Sequence, residues 1–219
     1  MEDNRFALPN QKNYEYANEL AYQLAGEQLA GIEDIERQCH KCGARYQVLG
    51  SQKIISLPYL NRLYVITLPA IEISAASSPE EVPIREKVLI LHYFIRAQGT
   101  PPANRLITFR ELPEGKVYYP TFLKRTAQPL VNHFGKEPHL LADVAAELGG
   151  QSAEYGDAAV TFAAFPCVPV TMVLWQGDEE FAPEGSVLFD AGIADYLATE
   201  DVTVLCETIT WRLIGSLKG

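Results

Sequence analysis

Apolar residues recur at helical spacing near both ends of the chain and alternate with polar ones in between. Residues 13–29 place Ala17, Leu20, Ala21 and Leu24 on one helical stripe, with Asn13 positioned to cap it. Gly26 and Gly31 weaken the end of that helix. Residues 32–38 read as a short second helix, followed by the turn Cys39-His40-Lys41-Cys42-Gly43. From 44 to 75 the texture changes. The runs 45–48, 53–57, 63–67 and 71–73 are short and rich in β-branched and aromatic residues. Gly50-Ser51, residues 59–62 and Pro69-Ala70 punctuate them. A spacing of about ten residues predicts an antiparallel meander.

The second half returns to helices before a second set of strands. Pro83 suits a first helical position, because it has no N–H to leave unpaired there. The helix it opens runs to about residue 98, with Ile84, Val88, Leu91 and Ile95 inward and Gly99 as its stop. Residues 106–109 predict a short strand. Residues 118–134 and 138–148 predict helices, with Pro129 expected to break or kink the first and Gly149-Gly150 to stop the second. Strands follow at 157–164 and 168–175 around Phe165-Pro166, and a third at 186–189. Thr199 is placed to cap a closing helix whose Val202, Leu205, Cys206, Ile209, Leu213 and Leu217 form an apolar stripe. Without repeats or a linker, this order predicts one α+β domain over residues 1–219. Its expected architecture is an antiparallel or mixed sheet packed against several helices.

Composition narrows the class. At 219 residues and 47% hydrophobic, the chain can bury a sizeable core. Its net charge is −10, and its basic residues are scattered, the densest group being Lys124-Arg125 with Lys116 nearby. That argues against nucleic-acid partners and against anionic membrane surfaces, both of which reward clustered cations. No apolar run approaches the ~20 residues that span a bilayer. Met1-Glu2-Asp3-Asn4-Arg5 has no apolar segment behind a basic one, so a cytoplasmic location is expected. In that setting Cys39, Cys42, Cys167 and Cys206 are expected as thiols or metal ligands, with no bridge between Cys167 and Cys206.

Candidate chemistry is sparse. Cys39-x-x-Cys42-Gly43 has zinc-knuckle spacing, but a structural zinc site wants four ligands and there is no second pair. An iron–sulfur cluster likewise wants four thiolates. A thioredoxin-like motif follows a strand and opens a helix, whereas this one does the reverse. Two free thiols compete with the metal and redox readings. His92, on the edge of a buried stripe, is either a core histidine or a general acid or base. Asp178, Glu179 and Glu180 follow a strand end, with Asp190 ten residues past Glu180. They could bind a cation or an amine, or form a solvated turn in which one or two acids bond backbone amides. His133 and His139 read as surface residues. No Walker A loop, GxGxxG, GxSxG or HExxH occurs.

Five phrases in this order resemble an uncharacterised prokaryotic family, domain of unknown function 3786. They are Cys39-x-x-Cys42-Gly43, Leu91-His92-Tyr93, Ile107-Thr108-Phe109-Arg110-Glu111-Leu112, Gly177-Asp178-Glu179-Glu180-Phe181 and Leu188-Phe189-Asp190. The resemblance covers about residues 14–213. It implies an association with anaerobic bacteria and archaea, where some relatives carry cysteine-rich, iron–sulfur-like segments. It brings no activity or ligand. This chain departs from those relatives in having one Cys pair, and Cys167 stands where a basic residue is expected. The leading expectation is an accessory cytoplasmic protein of anaerobic metabolism that binds a small ligand, metal or protein partner. The first rival is an enzyme with a pocket around His92, Asp178, Glu179, Glu180 and Asp190. The second is a zinc- or redox-linked module using Cys39 and Cys42.

Overall fold

The computed structural model describes residues 11–217, with side chains from Glu15. The expectation drawn from Met1 to Arg5 lies outside the described residues. Helices α1 (Gln11–Ala30) and α2 (Ile35–Cys42) precede β1 (Arg45–Leu49), β2 (Gln52–Tyr59), β3 (Arg62–Leu68) and β4 (Glu72–Ala75). These four strands form the expected antiparallel meander in the order β1-β2-β3-β4. Tyr59 pairs with Arg62 across the two-residue turn Leu60-Asn61, whose φ values of 45° and 61° suit the twist of a tight hairpin. Leu60 is fully buried, and its amide donates to the Ala164 carbonyl at 3.0 Å, which ties this sheet to the next.

Helix α3 (Ile84–Arg96) leads to β5 (Leu106–Thr108), α4 (Gly115–Arg125), α5 (Ala127–Phe134) and α6 (Leu140–Ala145). Then come β6 (Gln151–Ala153), β7 (Ala158–Phe165), β8 (Val168–Trp175), β9 (Glu184–Asp190) and α7 (Thr199–Ser216). The second sheet is antiparallel throughout, in the order β5-β9-β8-β7-β6. The fold is the expected α+β class, with its strands divided between two antiparallel sheets. Among the described residues, no helix is long and apolar enough to cross a membrane.

Four local expectations change. In α1 the predicted stripe faces water: Leu20 and Leu24 are exposed, while Ala25 and Leu29 are buried. The inner face, Ala25, Gly26 and Leu29, packs beside Ile71. A Cβ on Gly26 would lie 3.5 Å from its Cδ1, and the Tyr22 hydroxyl donates to its carbonyl at 2.5 Å. Asn13 lies inside α1, and its side chain is outside those described. Between α4 and α5 the break falls at Thr126, not at Pro129. Pro129 occupies the first turn of α5, where an amide would have no intrahelical acceptor, so the ring disrupts nothing. Thr199 does not cap α7: its hydroxyl donates to the Pro113 carbonyl at 2.7 Å instead.

Through the core runs a file of rings: Tyr196, Tyr93, Phe165, Tyr59 and Tyr64, with successive centroids 6.0, 4.1, 4.7 and 5.5 Å apart. It passes from α3 across the second sheet to β2 and β3 of the first. The Tyr93 hydroxyl donates to the Cys42 carbonyl at 2.8 Å and accepts from the Cys167 amide at 3.2 Å. One buried phenol thereby joins α2, α3 and the turn between β7 and β8.

Candidate functional site

Cys39 and Cys42 sit in the last turn of α2, three residues apart, not in the open turn expected of a zinc knuckle. Asp34 starts this helix by accepting from the Arg37 amide at 2.9 Å, and Gly43 ends it at φ 70°. Both thiols are buried, and burial pushes Cys39 up to about 11 and Cys42 up to about 12. At neutral pH the protonated thiol is therefore favoured over the thiolate that binds metals or attacks disulfides. Cys206 is buried on the inner stripe of α7, and all four cysteines are free thiols. Among the described residues, no three His, Cys, Asp or Glu side chains group in a way that could hold a metal ion.

His92 is half-buried on α3, and its Nδ1 lies 2.8 Å from Oδ1 of Asp201 in the first turn of α7. The hydrogen bond to Asp201 raises the imidazole pKa above its ordinary 6.5, against the opposing effect of burial. A raised folded-state value means the protonated pair stabilises the fold below about pH 6.5, the unfolded value. That stabilisation is lost as pH rises through the folded-state value. Melting temperatures across this window should show the step in wild type, and Asp201→Asn should flatten it.

The acids expected to converge are held apart. Asp178 to Glu180 precede β9 and Asp190 ends it, so the seven-residue strand puts about 20 Å between them. His92 pairs with neither group. The proposed pocket around His92, Asp178, Glu179, Glu180 and Asp190 is therefore not assembled, because β9 carries its two termini to opposite ends of the sheet. Asp190 is nearly buried, and its oxygens accept from the amides of Ala103, Asn104 and Gly192 at 3.0, 2.8 and 2.8 Å. It anchors the connector after α3.

Asp178 Oδ1 accepts from the amides of Glu180 and Phe181, both at 2.8 Å, and these bonds hold its carboxyl below the ordinary range. Glu179 and Glu180 are exposed, so one acid of the three organises the turn. All of it lies at the surface, where water replaces lost bonds. Asp178→Ala should accelerate amide exchange at Glu180 and Phe181 while leaving the melting temperature nearly unchanged.

A sizeable cleft lies elsewhere and is lined by none of these residues. It measures about 580 Å³ and is walled by β3 and β4, the connector before α3, the start of α3, the turn after α6 and the end of α7. In its wall the Arg212 Nη2 donates to Glu86 Oε2 at 2.5 Å, with the two side chains only 25% and 11% exposed. The guanidinium also lies over the Tyr59 ring, 5.8 Å from its centroid. The Ser216 hydroxyl donates to Glu147 at 2.8 Å. Arg62 and Glu80 stand exposed on the rim, without ion pairs among the described residues. The cleft thus offers opposite charges, hydroxyls and a tyrosine edge, which suits a small polar molecule better than an apolar one. Sequence reasoning missed it, although a signal exists. Glu86 interrupts the buried run of α3, and Arg212 stands between Ile209 and Leu213 on the inner side of α7.

A family model described as Domain of unknown function (DUF3786) matches residues 34–212. No curated protein and no solved structure matches the chain.

Proposed function

We propose, for a chain that belongs to the DUF3786 family, a function read from its own geometry: a cytoplasmic accessory protein that holds a small polar molecule in the cleft between the first sheet, α3 and α7. The observation that carries this reading is the shielded Glu86–Arg212 pair in the cleft wall. Burying two charges costs desolvation energy that their attraction only partly returns, so such pairs serve placement more than stability. Here the pair fixes a guanidinium and a carboxylate beside open volume. Four free thiols suit a reducing compartment.

A ligand that binds only the folded state raises the melting point by mass action. Thermal shift across a set of small amines, carboxylates and amino acids tests the reading. Arg62 is the residue to vary, because it is exposed and makes no ion pair among the described residues, so its loss should spare the fold. A saturable shift in wild type that Arg62→Ala weakens is the expected result. A shift that Arg62→Ala and Ser78→Ala both leave unchanged would remove the cleft as the site.

A further inference from the structure

The sheet end that carries the acidic turn also holds three aromatic side chains out in solvent. Trp175 closes β8, Tyr155 lies in the turn between β6 and β7, and Phe181 lies in the turn before β9, at 42%, 46% and 70% exposure. Backbone pairing gathers them. Trp175 pairs with Glu184, the Asp157 amide donates to the Leu174 carbonyl at 2.9 Å, and the Gln176 amide donates to Asp157 Oδ2 at 2.7 Å.

The turn bearing Phe181 is fixed in place. Asp178 takes the amides of Glu180 and Phe181, and its own amide donates to the Phe181 carbonyl at 2.9 Å. Pro183 lies close against Gly177 and Gly135, where a Cβ would come within 2.6 and 2.7 Å of the ring. An aromatic ring held outward by an ordered turn gains nothing from the fold that presents it. Several such rings at one place mark a contact surface.

Charge selects the occupant. Glu154, Glu179, Glu180 and Glu184 are exposed at this end; Lys136 borders the acidic turn, and no further Lys or Arg occurs in the sequence before Arg212, so carboxylates outnumber cations. Nucleic acid, anionic lipid and a second copy of this end would all meet like charge. We propose that this end of the second sheet docks a Lys- and Arg-rich segment of a partner protein. The rings take the aliphatic stems and cationic heads, and the surrounding carboxylates steer and orient the segment. Because the turn is already ordered, docking loses little conformational freedom on this side.

The probe is a short fluorescein-labelled peptide of alternating Lys and Leu, followed by anisotropy with the full chain at low and high salt. The site variant combines Phe181→Ser, Glu179→Gln and Glu180→Gln and leaves Asp178 to hold the turn. A control carries Glu27→Gln and Glu33→Gln, which remove the same charge elsewhere. We expect salt-sensitive binding that the site variant weakens by roughly tenfold or more and the control leaves unchanged. Equal weakening in both variants would mean diffuse attraction to an acidic protein and would overturn the proposal. So would no binding to wild type. So too would self-association of the peptide-free chain that Phe181→Ser abolishes, because a second copy would then occupy the surface.

Discussion

Arg212→Ala is expected to cost about 3 kcal/mol of folding stability, one of the two largest losses anticipated for a single substitution here. Its guanidinium is the direct partner of Glu86, whose side chain is only 11% exposed, so truncation leaves a carboxylate facing the interior without a counter-charge. It also removes the cation over the fully buried Tyr59 ring, and the carboxylate it strands is a shielded one in the cleft wall. Glu86→Gln should cost less, because a neutral amide still fills the site and accepts one hydrogen bond. Combined with Arg212→Met, it should recover much of the loss by removing both charges together. Urea unfolding of Glu86→Gln, Arg212→Met and the double gives the coupling directly. Simple additivity would show that the pair is solvated.

Asp190→Ala should be of similar size, about 2–3 kcal/mol, because three backbone amides lose one shared acceptor. Those amides belong to Ala103, Asn104 and Gly192, so the damage should concentrate in the connector between α3 and β5 and just after β9. Amide exchange is expected to accelerate at these three positions well before global unfolding. Asp190→Asn keeps one acceptor oxygen and should lose less. An unaltered urea midpoint in the Ala variant would show that water reaches the amides freely.

The meander was legible because its signals are local. Each strand is a short β-branched or aromatic run, and two-residue turns such as Leu60-Asn61 join neighbours in sequence. The inner stripe of α7 was legible too, since Val202, Leu205, Cys206, Ile209 and Leu213 are buried as spaced. The stripe of α1 misled, because periodicity finds an apolar face without saying whether anything covers it. There Ala25, Gly26 and Leu29 take the inner side, while Leu20 and Leu24 face outward. The site was the least legible part. Asp178 and Asp190 are near in sequence, yet a straight strand separates them. Glu86 and Arg212 are far apart in sequence, yet two helices bring them to 2.5 Å. Proximity along the chain was the wrong guide in both cases, and a charge interrupting a buried helical run was the better one.

The pairing of β5 with β9 governs how the molecule assembles. Ile107 must find Phe189 after three helices and three strands have intervened, whereas β7, β8 and β9 follow one another through short connections. Closing so long a loop costs chain entropy before its contacts return any, which places this ladder late on the folding route. Substitutions at Ile107 should therefore act mainly on the unfolding rate, whereas those in the β2–β3 hairpin should slow folding. The connector that Asp190 clasps closes together with β5. That edge of the sheet becomes the place where the native state first comes undone.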